Sequence, residues 1–443
     1  MNDCLGNGHL LAELSRDWQR DKIARLCDFV GSGGTPPTGN PDFYDGDIPW
    51  VQTGDLNDEW LNETAKTITE EGLRHSAARL YTKNTLLVAM YGATIGKLGI
   101  LKFSAAVNQA CCALVVRKTM NVRFVFHKLR SLRSDLIAEA LGGGQQNIGQ
   151  ETIKQTYIVY PPIHEQQRIA AYLDASCAAI DMAVAAKRAQ IEMLDGVRRE
   201  IIQKAVTRGL EERPTLKKTG NVWMNELPCT WELVSLKRVS EIQGGLTLGK
   251  VYEGPLIERQ YLRVANVQDG HLNLQDVTTI EVPEEVAHRV DLRPGDVLMT
   301  EGGDLDKLGR GTIWNGEVPD CLHQNHIFAI RCFKHKLLSA FLAYLTASRY
   351  GRDYFEATGK RTTNLASTNS TKVGLFPIPR PSIAEQRAIC RFLDEKLNHV
   401  AQIVNGIEAQ IETLIAYRKS LIHECVTGQR RITENDTSNL MLT

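Results

Sequence analysis

The sequence predicts a mixed α/β protein: two globules joined by two long helices that pair as an antiparallel coiled coil, with a pseudo-two-fold internal repeat. Three observations carry that expectation. The stretch "HEQQRIAAYLD" (His164–Asp174) returns 220 residues later as "AEQRAICRFLD" (Ala384–Asp394). Further along, "AQIEML" (Ala189–Leu194) returns as "AQIETL" (Ala409–Leu414), and Val206-Thr207 as Val426-Thr427. Apolar residues also recur with a period of 3.5 along both copies, the signature of a coiled-coil seam.

The first globule is expected over 1–160. Short β-branched runs lie there between Gly, Asn and Asp turns, which points to strands and mixed α/β structure. The first long helix follows over 161–212, starting after Pro161-Pro162. Its seam reads Leu173, Cys177, Ile180, Val184, Ile191, Leu194 and Ile201, with Lys187 and Arg198 interrupting. The second globule, 213–380, repeats the first more faintly. "GSGGTPPTG" (31–39) has a counterpart in "QGGLTLG" (243–249), and "VNQACCALVV" (107–116) in "LHQNHIFAIR" (322–331). The second long helix, 381–428, begins at Ser382-Ile383-Ala384-Glu385, which has the form of a capping box with Glu385 reaching back to the Ser382 amide. Its seam is Cys390, Leu393, Leu397, Val400, Val404, Ile407, Ile411, Leu414, Leu421 and Cys425, and Arg418 breaks it where Arg198 breaks the first. Helices of about 40 residues would be roughly 60 Å long. The polar tail, 429–443, is expected to be disordered.

Composition narrows the function. With 443 residues, 43% of them hydrophobic and 23% charged, the chain is long enough for two or three domains with ordinary cores. No apolar run reaches the roughly 20 residues of a membrane span, and the N-terminus lacks signal-peptide character, so a cytoplasmic protein without a membrane partner is expected. The ten cysteines show no metal-like spacing, which suits reduced core thiols. The formal net charge is zero, yet charge is unevenly distributed. From Gly72 to Ser134 there is no Asp or Glu among eleven Lys and Arg, whereas Asp28 to Glu71 holds ten acids and only Lys66. The second half repeats this acidic-then-basic order, since Cys321 to Ala384 carries nine Lys or Arg against Asp353 and Glu356. Two anion-binding surfaces follow from that repetition.

No catalytic or metal motif survives inspection. "GATIGKL" (Gly92–Leu98) is one residue short of a phosphate-binding loop and places Leu98 where a Mg²⁺-binding hydroxyl belongs. "NPDFY" (Asn40–Tyr44) departs from the Asn-Pro-Pro-aromatic motif of amino-group DNA methyltransferases at Asp42 and lacks a Gly-rich cofactor loop upstream. His323 and His326 have no accompanying carboxylate or cysteine cluster, so no metal site is assigned. A non-catalytic reader or adaptor is the result. A coiled-coil scaffold without DNA binding is the alternative, but it leaves the basic blocks unexplained.

The "P-[PS]-I-x-E-Q" helix starts at Pro161–Gln166 and Pro381–Gln386 resemble those of type I restriction–modification specificity subunits. So do "RREIIQKAVTRGL" (Arg198–Leu210), "VWMNELPCTWELVSLKRV" (Val222–Val239), "SGGTP" (Ser32–Pro36) and "GKLG" (Gly96–Gly99). The likeness spans about residues 15–428, although the first globule lacks the "VWMNELP" lead-in. It implies two target-recognition domains reading one bipartite, asymmetric double-stranded DNA target. The coiled coil would act as a ruler and as a dock for two methyltransferase (modification) subunits, joined by two ATP-dependent restriction subunits. S-adenosylmethionine, ATP and Mg²⁺ would belong to those partners, with no cofactor bound by this chain. Under that reading, Lys97, Lys102, Arg117, Lys307, Arg310, Lys360 and Arg361 are expected to meet DNA phosphates. Asn108, Gln109, Gln145, Gln146 and Asn147 in the first globule, and Gln324, Asn325, Thr362, Thr363 and Asn364 in the second, are expected to read bases.

Overall fold

The structure is a computed structural model that describes residues 17–140, 147–303, 308–309, 311–361 and 366–440. Its main helices are α1 (Val122–Ser131), α2 (Ile163–Arg208), α3 (Ser339–Ala347), α4 (Ile383–Thr427) and α5 (Glu434–Leu440). The two long ones, α2 and α4, contain 46 and 45 residues, each about 70 Å of helix. Prolines set where they begin: Pro161-Pro162 and Pro381 precede the first turn, because proline lacks the amide that a helix interior requires. Glycines set where they end: Gly209 and Gly428 follow with φ of +79° and +81°, the left-handed conformation that closes a helix.

The chain divides into two units, Met1–Lys187 with Ala409–Thr443, and Arg188–Glu408. Each therefore takes one globule, half of α2 and half of α4. In the first unit Arg430, just past α4, lies 5.4 Å from the Tyr172 ring, and Arg418 pairs with Asp181. Positions fall along α4 as they rise along α2, so the helices run antiparallel. In the second unit Ile202, Ala205 and Val206 near the end of α2 share one core with Ile389, Cys390 and Leu393 near the start of α4.

Along the seam, Leu173, Ile180, Val184, Leu393, Ile407, Ile411 and Leu421 are buried. Ile191, Leu194, Ile201, Leu397, Val400, Val404 and Leu414 are half-buried. Apart from Leu414, the looser positions lie in the second half of α2 and the first half of α4, where most flanking side chains are open to solvent. Towards the end of α2 the buried face moves to Ile202, Ala205 and Val206, and Arg198 stays exposed. By length and apolarity alone α2 could cross a membrane. Its apolar residues Leu173, Cys177, Ile180 and Val184 are buried in protein instead, and Asp174 and Asp181 are held by basic side chains.

In the first globule β1 (Cys27–Ser32), β2 (Leu86–Ala89), β3 (Leu98–Leu101) and β4 (Cys111–Val116) form a sheet in the order β1-β4-β2-β3, extended by Glu59–Leu61. In the second, β5 (Ser240–Gly244), β6 (Val297–Thr300), β7 (Gly311–Ile313) and β8 (Ile327–Cys332) repeat that order as β5-β8-β6-β7. The repeat extends to a parallel pairing in each globule, Trp50 with Ala106 and Tyr261 with Leu322. The strand entering each long helix pairs with a strand near the start of its globule: Tyr157–Tyr160 with Gln19–Lys22, and Pro377–Arg380 with Glu232–Ser235. Burial pushes the Cys111 and Cys112 thiols on β4 up to about 12, so both stay protonated core groups.

Two sequence expectations are corrected. The Glu385 carboxylate accepts from Trp231 Nε1 (2.9 Å) instead of reaching back to the Ser382 amide; only the Ser382 hydroxyl half of the cap forms, accepting from the Glu385 amide at 3.2 Å. The tail is ordered as far as Leu440: Ile432 is 1% exposed, Asp436 caps α5 by accepting from the Thr433 amide (2.8 Å), and Glu434 pairs with Arg168. Residues 441–443 lie outside the described residues.

Candidate nucleic-acid interface

The sheet of each globule has two ends, and the ladder registers assign the candidates to them. In the first globule Cys111 pairs with Ala89 and Leu114 with Leu86, while Leu86 faces Ile100 on β3. The Cys111 end therefore gathers the Gly-rich loop after β1, the turn between β2 and β3, and Asn108-Gln109. Gly33 and Gly34 donate to the carbonyls of Asn108 (3.3 Å) and Val107 (3.1 Å). A Cβ at Gly33 would stand 1.7 Å from the Val107 oxygen, so only glycine fits that crossing. Gly92 and Gly96, at φ of +84° and +75°, shape the turn that carries half-buried Lys97. Asn147 bridges to Tyr91 beside it and is exposed.

Gln109 is exposed at this end and accepts from the Thr35 hydroxyl. Asn108 is 9% exposed, and its side-chain oxygen accepts from the Ala110 amide at 3.1 Å. It caps the turn and presents little to a ligand. Lys102 and Arg117 stand at the opposite end, roughly 17 Å away along β4. There Lys102 donates to Asn62 (2.8 Å) and Arg117 pairs with Asp28 (3.4 Å). The structure does not bring them together with Lys97 and Gln109.

Much of the acid-free block faces inward, because its acceptors come from distant segments. Arg123 donates to Asp174 (Nε, 3.0 Å) and Arg133 to the Gly96 carbonyl (2.8 Å), with Asp58 as its ion-pair partner. Lys128, 4% exposed, donates to the Val426 carbonyl near the end of α4 (2.9 Å). Burial pulls the Lys128 ammonium down from 10.5 to about 8. The unfolded chain keeps that proton up to about 10.5, so between the two values it binds more protons than the folded chain, and stability rises with pH there. The rise is up to about 3 kcal/mol. Lys128→Met is expected to flatten it, as urea unfolding at about pH 7.5 and pH 10 would measure.

In the second globule the corresponding end is continuous. Gly245 crosses the backbone at His323, where a Cβ would meet the carbonyl at 2.2 Å, and Leu246 donates to that carbonyl (2.8 Å). Half-buried Gln324 and Asn325 follow. His326 Nδ1 lies 2.7 Å from Glu301 Oε2, and the Glu301 amide donates to the His326 carbonyl. The strand after Glu301, Gly302–Gly303, pairs with Ala366–Ser367, which pairs with Lys360–Arg361. A hairpin carrying exposed Lys360 thus stands beside Gln324 and Asn325. Lys307, Arg310, Gln145, Gln146, Thr362, Thr363 and Asn364 lie outside the described residues, and Arg361 is described by its backbone alone. The Glu301–His326 pair and Thr35 were not singled out from sequence; the Gly-Gly pairs beside Thr35 and Leu246 were the available signal. His323, fully buried with Nδ1 3.0 Å from the Val290 carbonyl, is held below the usual imidazole range by that burial. Among the described residues no cluster of His, Cys, Asp or Glu could hold a metal.

Residues 15–193 match the type I restriction modification DNA specificity domain. Most of the chain aligns with the MjaVIII specificity subunit of Methanocaldococcus jannaschii, at 23% identity over 94% of this chain and 93% of that one. The chain is thus similar, over most of its length, to type I specificity subunits. The EcoKI specificity subunit of Escherichia coli is 21% identical over 86% of this chain and 82% of that relative. Among solved structures, a chain from "Structural basis underlying complex assembly and conformational transition of the type I R-M system" shares the fold at a TM-score of 0.70 and 17% identity, covering 94% of this chain and 98% of its own. The HsdS subunit from Thermoanaerobacter tengcongensis gives 0.53 at the same identity and coverage.

Proposed function

We propose that the two loop ends read the two halves of a bipartite, asymmetric DNA target, and that the long helices dock methyltransferase and ATP-dependent restriction subunits. The observation that carries this reading is the repetition of one loop architecture with different side chains. Gly33 and Gly245 make the same close crossing, while the first loop end carries Gln109 and Asn147 and the second carries Gln324, Asn325 and Lys360. The same frame with unequal contacts suits two different half-sites. Chemistry then belongs to the partners: S-adenosylmethionine to the methyltransferases, ATP and Mg²⁺ to the motor subunits.

Phosphate contacts should be confined to the loop ends. Lys97→Ala and Lys360→Ala are expected each to reduce the slope of log K against log salt by about one unit. Lys102→Ala and Arg117→Ala, at the far end of the sheet, should leave it unchanged. A salt titration of duplex binding by the four variants decides this, and equal slopes in all four would count against the assignment.

Docking has its own surface. On α2, Met182, Ala185, Ala186, Ala189, Met193 and Val197 recur every three or four residues, so they form one stripe opposite the seam. All six are exposed, Met182 by 68% and Met193 by 72%, and none is charged. Flexible methionines on an exposed stripe suit a protein partner. Met193→Lys is expected to abolish co-purification of the methyltransferase while duplex binding persists; retention of the partner would place docking elsewhere.

A further inference from the structure

The repeated "E-Q" at the start of each long helix has a role beyond ending the proline pair. Gln166 is 1% exposed: its Oε1 accepts from the Asn121 amide (2.9 Å) and its Nε2 donates to the Pro161 carbonyl (2.8 Å). Gln386, fully buried, repeats the arrangement. Its Oε1 accepts from the Leu338 amide (2.9 Å), and its Nε2 lies within hydrogen-bond distance of the Pro381 (3.0 Å) and Lys336 (3.1 Å) carbonyls. Asn121 and Leu338 are the N-cap residues of α1 and α3. Each glutamine thus holds the first turn of a globule helix against the start of a long helix.

A second contact follows eight residues on in both copies. Asp174 accepts from Arg123 Nε (3.0 Å) and lies 2.7 Å from His127 Nε2; Asp394 accepts from the Tyr344 hydroxyl. His127 and Tyr344 stand at the same position, six residues past their N-caps. The ring packing behind them also repeats, with Trp18 and Phe124 edge-on at 6.5 Å and Trp231 and Phe341 edge-on at 6.5 Å.

Two directional contacts along one helix fix its angle, which apolar packing alone leaves free to slide. We propose that Gln166 with Asp174, and Gln386 with Asp394, are positioning residues that set the angle of each globule on its long helix and thereby the spacing between the two half-sites. The lever is built into the topology. Helix α1 follows β4, whose other end carries Gln109, and α3 follows β8, whose other end carries Gln324 and Asn325. Over about 17 Å of strand, a 10° rotation moves the reading loops by roughly 3 Å, close to one base-pair step of about 3.4 Å. The inference rests on the bipartite reading above and goes beyond it, because it assigns spacing to junction residues as well as to helix length.

The test uses the specificity subunit with its methyltransferase partner on duplexes whose half-site bases and spacer length are both varied, with methylated products sequenced. The wild type is expected to accept one spacer length. Gln386→Ala and Tyr344→Phe should raise methylation at spacers one base pair longer or shorter by about five- to tenfold, the worth of one hydrogen bond, with the bases of both half-sites unchanged. Asp394→Asn, whose amide oxygen still accepts from Tyr344, should keep the single length. If Gln386→Ala does not fold, Tyr344→Phe, which loses only a hydroxyl, carries the test. An unchanged spacer in Tyr344→Phe overturns the positioning role. A wild type that methylates an unsplit site overturns the bipartite reading instead.

Discussion

Leu393→Ala is expected to cost about 2–5 kcal/mol, the range for emptying a fully buried leucine site. Leu393 has no exposed surface, and it belongs to a core cluster that joins the end of α2, the second globule and the start of α4. Its loss therefore loosens three elements together. Four residues on, Leu397 is only half-buried at the edge of that cluster, and Leu397→Ala should cost clearly less. Ile403, 41% exposed, should cost under about 1 kcal/mol. Urea unfolding of the three variants gives the order. Because the chain has two units, the Leu393 effect should appear in the transition of residues 188–408, and a two-state fit need not hold. Equal losses at Leu393 and Ile403 would mean that the helix is not anchored at its globule end.

The repeat and the long helices were legible because they are written in local periodicity, and a period of 3.5 survives any tertiary context. The Gly-rich loops were legible for a related reason: Gly33 and Gly245 are needed where one backbone crosses another, and no other residue can replace them there. The basic block was only half legible. Its freedom from acids looked like an exposed cationic face, yet Asp174, Asp58 and the Val426 carbonyl reach Arg123, Arg133 and Lys128 from 51, 75 and 298 residues away. No sequence window contains those partners. Asn108 shows the same limit at short range. Its amide type suits adenine, but the turn to Ala110 uses it first. Gln166 and Gln386 are legible as a repeated motif but their role is not, because only the structure shows the Asn121 and Leu338 amides beside them.

If the paired helices space two half-site readers, removing one heptad from each long helix, Arg188–Leu194 from α2 and Ile407–Thr413 from α4, must shorten the spacing. Deleting seven residues keeps the seam in phase. It shortens each helix by about 10 Å, or roughly three base-pair steps of 3.4 Å. The deletion also removes Met193, so the readout is direct selection of bound duplexes from a random pool, which needs no methylation. The account predicts the same bases in both half-sites, with a spacer about three base pairs shorter. A folded deletion protein that selects the original spacer would contradict it.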